Sequence, residues 1–220
     1  MKKIIVLNGS PRKNFNTAQL LKEAQKGAES TGAEVEYFNL YDYNFKGCMS
    51  CFACQRKDSK TEGVCAIPDD LKPILEKCIN ADAIIIGTPV YFSYPTGIFR
   101  SFVERLMFAN HTYMVDKENG GLKRRLEKVI PTGVIFTMNC PEELAKNINY
   151  DTILDENVKS LNHIMGYAEG LYSYDTTQFA DFSKYNCDLF DPEHKAKVHE
   201  EQFPTDKNNA FELGKKLALM

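Results

Sequence analysis

The sequence predicts an α/β fold in which a doubly wound parallel sheet of five strands has helices packed on both faces. Short runs of Ile, Val and Leu, such as residues 4–7 and 83–86, are typical of strands buried on both sides of a parallel sheet. Segments with apolar residues at helical spacing, such as 20–28, alternate with these runs along the chain. This alternation, without internal repeats or a linker, indicates a single domain over residues 1–220.

The five strands are expected at residues 3–8, 34–40, 83–87, 133–138 and 170–174. Pro131 limits how early the fourth strand can begin to pair, because proline lacks the N–H group that a sheet ladder requires. Two segments add to this frame. They are a cysteine-bearing loop over 41–68 and a C-terminal extension with a helix over 175–220.

Helices are expected over residues 17–30, from Asp70 onward, and over 96–107, 151–165 and 208–219. Asp70 is a good cap for the second helix, because it puts Pro73 in the first turn, where a missing N–H costs nothing. Thr96 caps the third helix, and Pro204 is expected to break the C-terminal region before the last one. Residues 110–128 are polar and contain glycine, which indicates a mobile connection.

Length and composition are those of an ordinary globular protein and exclude several classes of partner. The chain has 220 residues, of which 43% are hydrophobic and 26% are charged, with a net charge of -3. This balance offers no basic surface for nucleic acid or for an anionic membrane. No apolar stretch is as long as a membrane span, and the first residues lack the apolar region of a signal peptide, so we expect a cytoplasmic location. The odd count of seven cysteines then favours thiols or metal ligands over disulfides.

The loop behind the first strand is the strongest functional signal in the chain. A strand that ends in Gly9-Ser10 and leads into a helix near residue 17 presents the free N–H groups of that helix to a ligand. Short polar side chains and one positive charge surround this point, and we expect them to hold a phosphate: Ser10, Arg12, Asn14, Asn16 and Thr17. The alternative is an ordinary strand-to-helix turn in which the Ser and Asn side chains only cap the helix.

The loop behind the third strand contains aromatic residues and proline. A planar ring bound at the edge of a sheet needs rigid or aromatic walls and backbone donors aimed at its polar rim. Four consecutive residues meet that requirement: Pro89, Val90, Tyr91 and Phe92. The alternative is that these aromatic side chains, with Tyr94, belong to the core or to a contact between subunits.

The positions of these two loops also predict the strand order. Ligands of doubly wound sheets bind at the carboxyl ends of the strands, where the strand order reverses. Loops of this kind after the first and third strands favour the flavodoxin-like order 2-1-3-4-5, which reverses between those strands. The first loop lacks the Gly-x-Gly-x-x-Gly spacing of dinucleotide sites and the Gly-Lys-Ser/Thr of triphosphate loops, so a monophosphate ligand fits best.

A group of cysteines lies in the loop over 41–68. Cys48, Cys51 and Cys54 recur at every third position, and Cys65 follows after ten intervening residues. Three thiolates at this spacing and a fourth from further along the chain are able to hold an iron–sulfur cluster. Zinc more often uses two separated cysteine pairs or cysteine with histidine, and no histidine is near in the sequence. A structural or redox role for the thiols is the third interpretation.

Three motifs together resemble one known family. They are the segment 7–12 with Asn16-Thr17, the segment 87–92, and Phe102-Val103-Glu104-Arg105. In this order they are similar to the NADPH-dependent FMN reductase family, and the cysteines between them place the chain nearest its iron–sulfur flavoprotein branch. The resemblance covers roughly residues 1–140. It implies a flavodoxin-like fold, bound FMN, NAD(P)H as electron donor, and a homodimer or homotetramer with the flavin near a subunit interface.

The resemblance also implies roles for individual residues. The FMN phosphate would be held by Ser10, Arg12, Asn14, Asn16 and Thr17, and the isoalloxazine ring would contact Pro89, Val90, Tyr91 and Phe92. A third loop over 137–140 closes the site in such proteins. Cluster-binding members of the branch have a tighter gap before the fourth cysteine, so the insertion at 55–64 favours structural or redox thiols over a cluster bound by Cys48, Cys51, Cys54 and Cys65.

These features predict an FMN-dependent oxidoreductase that takes hydride from NAD(P)H and passes electrons to a small acceptor such as a quinone, a flavin or a metal ion. The flavin performs the chemistry, so no catalytic side chain is expected. One alternative is an electron-transfer protein with FMN, and with or without a cluster, that does not itself turn over NAD(P)H. A second is a non-catalytic module that has kept the flavodoxin-like fold.

Overall fold

The computed structural model describes residues 1–61, 63–118 and 120–220. Glu62, in the predicted cysteine-bearing loop, and Asn119, in the predicted mobile connection, lie outside the described residues. The strands are β1 Lys3–Asn8, β2 Glu34–Asn39, β3 Ala83–Tyr91, β4 Tyr94–Pro95, β5 Thr132–Thr137 and β6 Ala168–Ser173. The helices are α1 Asn16–Glu29, α2 Leu71–Asn80, α3 Gly97–Asn110, α4 Glu142–Asn147, α5 Tyr150–Met165, α6 Pro192–Glu201 and α7 Phe203–Leu219. Within the described part, none of these helices has the length and apolar character needed to cross a membrane.

The sheet has the order β2-β1-β3-β5-β6, and these five strands run parallel. In the middle of the sheet, Ile4 of β1 lies opposite Val35 of β2 and Ala83 of β3. The predicted doubly wound order is therefore confirmed. The difference is β4, a sixth strand of two residues that folds back on the end of β3 in an antiparallel pair.

The core lies on both faces of the sheet because successive side chains of each strand point to opposite sides. Ile5 and Leu7 of β1 pack in the cluster that includes α2, α3 and α5. Ile4 and Val6 pack in the other cluster, with α1 and α7. The continuous apolar strands of the sequence are thus buried on both sides, as the pattern predicts.

Helices α1 and α7 approach each other closely through two glycines. A Cβ atom built on Gly214 would lie 1.8 Å from the carbonyl oxygen of Ala24, and one on Gly27 would lie 1.9 Å from that of Phe211. The break predicted at Pro204 lies two residues earlier, at Gln202 between α6 and α7, and the last helix begins at Phe203 rather than at residue 208. Pro204 lies in the first turn of α7, where no N–H has to find an intrahelical acceptor. The C-terminal helix is therefore longer than predicted and covers the apolar face of α1.

The start of α2 also differs from the prediction. Asp70 makes no side-chain cap; its Oδ2 instead accepts a hydrogen bond from the backbone N–H of Asn44 at 2.8 Å. The preceding residue takes the local role, since Asp69 Oδ1 accepts from the N–H of Leu71 at 3.2 Å. Either of these two adjacent aspartates is a suitable acceptor for the first N–H groups of α2, and the sequence pattern alone does not show which one serves.

Candidate functional site

The loop between β1 and α1 is fixed at the carboxyl edge of the sheet by short backbone contacts. The N–H of Gly9 donates to the carbonyl oxygen of Gly87 at 2.7 Å, and a Cβ on Gly9 would lie 2.9 Å from that oxygen. Ser10 is buried, and its N–H donates to Oδ1 of Asn8 at 3.0 Å. The Ser10 Oγ accepts from the N–H of Arg12 at 3.1 Å. The loop is therefore held in a defined shape beside β3.

The first turn of α1 is suited to an anion. The residue before the helix, Phe15, makes no side-chain cap, and no acidic residue lies in the described first turn. The first N–H groups of a helix have no intrahelical acceptors and lie at the positive end of its dipole. Because Phe15 makes no cap, these N–H groups are open to an anion.

Arg12 lies over the same turn. Its guanidinium is 3.9 Å from the ring centroid of Phe15, and its Nη1 donates to the carbonyl oxygen of Gln178 at 2.7 Å. Burial lowers the pKa of Arg12 from its usual value, while the neighbouring Tyr91 and Tyr185 oppose that shift. An arginine remains charged in a protein in spite of such a shift, so a positive charge stands beside the uncapped helix.

Asn16 and Thr17 contribute buried polar atoms. The Asn16 Nδ2 donates to the carbonyl oxygen of Thr177 at 2.7 Å, whereas its buried Oδ1 has no partner among the described residues. The hydroxyls of Thr17 and Thr137 lie 2.7 Å apart. An unpaired amide oxygen is an acceptor, and a bound hydroxyl satisfies it better than a phosphate oxygen does.

These elements surround one small cavity of about 70 Å³. Seven of the nine predicted ligand residues line it: Ser10, Arg12, Asn16, Thr17, Pro89, Val90 and Tyr91. Asn14 and Phe92 are not among its lining residues. Asn14 Oδ1 accepts a hydrogen bond from Lys22 at 3.1 Å, and Phe92 is 95% exposed.

The cavity has a further wall that sequence reasoning missed. It consists of residues 176–178, which follow β6, while Thr137, Met138 and Asn139 of the third loop complete the lining. Gln178 Oε1 accepts from Asn139 Nδ2 at 2.7 Å, so the two loops support each other. Their common signal is position, since both follow strands that end at the ligand-binding edge of the sheet.

The third loop is anchored by α6. The side chain of Lys195 is buried, and its Nζ donates to the carbonyl oxygen of Asn139 at 2.5 Å and contacts the Asp175 carboxylate. The N–H of Asp175 in turn donates to the carbonyl oxygen of Cys140 at 2.9 Å. The C-terminal extension therefore holds one side of the cavity.

The loop with Pro89 to Tyr94 is a hairpin rather than an irregular loop. Val90 pairs with Pro95 and Tyr91 with Tyr94, and the two turn residues, Phe92 and Ser93, have φ angles of 50° and 75°. Positive φ at both turn positions is typical of the tight hairpin that matches strand twist, although it is uncommon for residues other than glycine. The hairpin exposes the aromatic rings at its tip.

Thr96 connects this hairpin to the loop between β1 and α1. Its Oγ1 accepts from the N–H of Phe99 at 3.3 Å, which confirms the predicted cap of α3. The same hydroxyl donates to the carbonyl oxygen of Gly9 at 2.8 Å. One side chain thus fixes the two main loops of the cavity relative to each other.

The four clustered cysteines lie around a second, very small cavity. Cys48, Cys51, Cys54 and Cys65 all line it, with Cys54 and Cys65 buried and Cys51 exposed. Burial, and secondarily the neighbouring Cys65, raises the pKa of the Cys54 thiol. In the described residues no three His, Cys, Asp or Glu side chains are grouped so that they would hold a single metal ion. The four cysteines therefore line the same small cavity, and no three of them converge on a position that would hold a single metal ion.

The cysteine-bearing loop is docked on α3 by side-chain amides. Gln55 Nε2 donates to the carbonyl oxygens of Phe108 at 2.7 Å and His111 at 3.1 Å. The buried Asn110 Nδ2 donates to the carbonyl oxygen of Gly63 at 2.9 Å. These contacts give the loop a fixed position, although the regular structure described at the cysteines is limited to the short 3-10 helix Ala53–Gln55.

Comparison with solved structures supports the fold. The chain superposes on NAD(P)H:quinone oxidoreductase from Methanothermobacter marburgensis with a TM-score of 0.65 and 17% identity, covering 98% of this chain and 96% of that one. It superposes on an azoreductase from Bacillus anthracis with a TM-score of 0.68 and 10% identity, covering 98% and 100%. At these identities the likeness concerns the fold alone.

Proteins related by sequence have a higher identity to this chain than these solved structures have, but they match a shorter part of it. An iron-sulfur flavoprotein from Archaeoglobus fulgidus is 40% identical over 107 residues, which are 49% of this chain and 50% of that protein. One from Methanocaldococcus jannaschii is 38% identical over 103 residues, or 47% and 51%. The chain thus matches about half the length of these curated relatives.

A family model gives the broadest assignment. The model described as NADPH-dependent FMN reductase matches residues 2–122. This part of the chain contains the loop between β1 and α1, the four clustered cysteines and the β3–β4 hairpin. This match spans more than half of the 220 residues. The chain therefore belongs to the NADPH-dependent FMN reductase family.

Proposed function

We propose that this protein binds FMN, takes hydride from NAD(P)H, and passes the electrons to a small acceptor such as a quinone, a free flavin or a metal ion. The observation that supports this most directly is the uncapped start of α1 with Arg12 beside it, in the same cavity as the β3–β4 hairpin. An anion site next to a rigid loop with aromatic residues suits a ligand with a phosphate at one end and a flat ring at the other.

Different residues of the cavity bind different parts of the ligand. The N–H groups of the first turn of α1, the Ser10 hydroxyl and the Arg12 guanidinium hold the phosphate through charge-assisted hydrogen bonds. The unpaired Oδ1 of Asn16 accepts a hydrogen bond from a hydroxyl of the ribityl chain. Asn16 thus serves the sugar-like part of the ligand, while Asn14, directed toward Lys22, remains a prediction for the phosphate.

The hairpin positions the ring. Pro89 and Val90 have little freedom because they belong to the end of β3, and they present backbone groups to the ring edge. Tyr91 forms a wall on the same side, and the ring contact proposed for Phe92 requires its side chain to turn inward or to meet the ligand of another subunit. Bound FMN supplies the hydride and electron transfer, so the chain has to bind, orient and exclude water.

We further propose that the four cysteines bind an iron–sulfur cluster. The insertion before Cys65 favours other roles, but two observations support the cluster. All four thiols line one cavity, and the sequence relatives are named iron-sulfur flavoproteins. Cysteine thiolates that surround a space, with no histidine among them, form the donor set of such clusters.

The flavin proposal is tested by reconstitution. Purified protein incubated with FMN and freed of excess ligand should show flavin absorption, and it should oxidise NADH or NADPH when a quinone is present. Flavin binding without NAD(P)H oxidation would favour the electron-transfer alternative. Absence of both would favour a non-catalytic module and overturn the proposal.

The cluster is tested separately under anaerobic conditions. After reconstitution with iron and sulfide, the wild-type protein should contain several irons per chain, and Cys51→Ser should contain almost none while it retains FMN. Cys187→Ser is the matched control, because Cys187 is remote from the group in sequence and does not line its cavity. Less than about one iron per wild-type chain would contradict a cluster.

We also propose a homodimer or homotetramer. The hairpin exposes Tyr91 by 46%, Phe92 by 95% and Tyr94 by 59%, and adjacent exposed aromatic rings are typical of contacts between subunits. Light scattering should therefore give a multiple of the 25.0 kDa chain mass. A mass of one chain at working concentration would contradict this.

A further inference from the structure

Arg105 is the largest fully buried side chain described in this protein. It lies on α3 and belongs to the Phe-Val-Glu-Arg motif of the sequence. A guanidinium has five N–H donors and no acceptor, and a buried charge must be paired and hydrogen-bonded. The partners of Arg105 therefore show what the fold uses this charge for.

Each nitrogen of the guanidinium has partners in the cysteine-bearing loop. Nη2 and Nη1 bind the two carboxylate oxygens of Asp69, at 2.9 Å and 2.5 Å. Nη1 also donates to the carbonyl oxygen of Lys46 at 3.3 Å, and Nη2 to that of Ile67 at 3.4 Å. Nε donates to the sulfur of Cys65 at 3.3 Å.

These contacts join the two ends of the cysteine-bearing loop. Lys46 lies two residues before Cys48, and Ile67 lies two residues after Cys65. One side chain from α3 thus fixes the entry and the exit of the loop and aims an N–H at the last of its four cysteines. Removing the side chain would leave Asp69 and the partly buried carbonyl groups of Lys46 and Ile67 without these donors.

The sulfur contact has a specific chemical meaning. A neutral thiol is a weak acceptor, whereas an anionic sulfur, free or bound to iron, accepts strongly from a charged donor. Every other N–H of this buried guanidinium is directed at oxygen, so the Nε donor is left for the Cys65 sulfur, which accepts more strongly as an iron ligand than as a neutral thiol. The arrangement is therefore suited to a metal-bound cysteine rather than to an inert thiol.

We propose that Arg105 is a positioning residue that donates to the iron-bound sulfur of Cys65 and raises the reduction potential of the cluster. This inference rests on the cluster proposed above. Reduction adds negative charge to the iron and its sulfur ligands, and a donor on a ligand sulfur stabilises that charge. The Asp69 carboxylate, on the far side of the guanidinium, reduces this effect by partial neutralisation.

The test is a redox titration of the reconstituted full-length protein. Visible and electron paramagnetic resonance spectra monitor the reduction of the cluster during the titration. Arg105→Lys keeps a positive charge for Asp69 but lacks the Nε donor. We expect the iron content to be retained and the reduction equilibrium to shift about tenfold toward the oxidised cluster, which is about 59 mV for one electron. Arg100→Lys on the same helix is the control and should not move the potential, because Arg100 pairs with Glu104 and Asn157 at the surface.

A second variant covers the case in which Arg105→Lys fails to fold or to bind iron. Asp69 is 21% exposed, and Asp69→Asn keeps the oxygen that accepts from Leu71 while it removes the negative charge. The guanidinium is then less neutralised, so the potential should rise. An unchanged or lower potential in Asp69→Asn, or an unchanged potential in iron-loaded Arg105→Lys, overturns the inference while the cluster proposal stands. If the wild-type protein binds no iron, the cluster proposal itself fails.

Discussion

The two functional regions of this molecule are held in place by different kinds of contact. The cavity for which we propose FMN binding, called the flavin cavity below, is built from strand ends and a helix start. It is fixed by the close backbone approach of Gly9 to Gly87 and by the hydroxyl of Thr96. The cysteine-bearing loop has little regular structure and is held by polar side chains from α3, above all Arg105 and Asn110. The first region depends on the packing of the whole sheet, whereas the second depends on a few polar side chains.

This difference implies different responses to mutation. A change in the helix packing behind the flavin cavity should affect the whole molecule, because the sheet and its helices form one cooperative unit. A change in a side chain that holds the cysteine-bearing loop should loosen that loop and leave the flavin cavity intact. The following variants test this contrast, beginning with the largest expected effect.

Gly214→Ala should destabilise the entire protein. Its Cβ would lie 1.8 Å from the carbonyl oxygen of Ala24, so α1 and α7 would have to move apart. Overpacking of this kind costs about 3 kcal/mol or more of unfolding free energy. Denaturant unfolding should show a lower midpoint, whereas Gly97→Ala, with no atom near its added Cβ, should unfold like the wild type. Equal midpoints for the two variants would mean that the helix contact is looser than described.

Arg12→Ala combined with Thr17→Ala should remove FMN affinity without removing iron. Two hydrogen bonds to a charged group are worth about 1.5–3 kcal/mol each, so a loss of about a hundredfold in affinity or more is expected. Fluorescence titration with FMN measures this loss. Lys26→Ala, which removes one positive charge from the exposed side of α1 where Lys26 pairs with Glu23, should retain wild-type affinity. Unchanged affinity in the double variant would show that the phosphate binds elsewhere.

Asn110→Ala should loosen only the cysteine-bearing loop. Its Nδ2 donates to the carbonyl oxygens of Gly63 at 2.9 Å and Leu106 at 2.8 Å, and a buried carbonyl left without its donor costs about 1–3 kcal/mol. Limited proteolysis should cut the loop faster while FMN affinity is retained. Asn80→Ala, an exposed change on α2, serves as the control. Loss of FMN together with the loop would remove the proposed independence of the two regions.

Asp206 should produce a small dependence of stability on pH. Burial raises the pKa of this carboxyl, and the hydrogen bonds from Ser173 and Gln202 only partly oppose the shift. The folded protein therefore binds this proton more tightly than the unfolded chain does. The contribution is fully present below the ordinary Asp pKa of about 3.9 and is lost as the pH rises through the raised value.

Comparison with Asp206→Asn isolates that effect. The difference in unfolding free energy between wild type and variant should change with pH in this window and become constant above it. The exposed substitution Asp188→Asn should not reproduce the trend. A difference that does not vary with pH would show that the Asp206 pKa is ordinary.

Most of the flavin cavity was predictable from sequence because its residues follow the ends of strands, and strands are visible as apolar runs. Ser10 and Thr17 line the cavity for that reason, and so do Pro89 and Tyr91. The wall at 176–178 was missed because its contacts with Arg12 and Asn16 are made through backbone carbonyls, which any sequence provides. Chemistry based on side chains leaves a residue pattern, whereas chemistry based on the backbone does not.

Arg105 illustrates a second limit. The Phe-Val-Glu-Arg motif makes this residue visible in the sequence. Its contact with Cys65 was not predictable, because it joins residues 40 positions apart. The last helix begins earlier than predicted for a related reason, because a proline that ends one helix and a proline in the first turn of the next look alike in a linear pattern. Tertiary contacts decide both cases.

The close contact between α1 and α7 has a consequence for how the protein is made. During synthesis α1 emerges early, but the residues of α7 that cover its apolar face, at 203–219, are translated almost 200 residues later. Until then α1 has an exposed apolar side and is a natural substrate for chaperones. We therefore expect the nascent chain to gain affinity for flavin only when this last helix has left the ribosome.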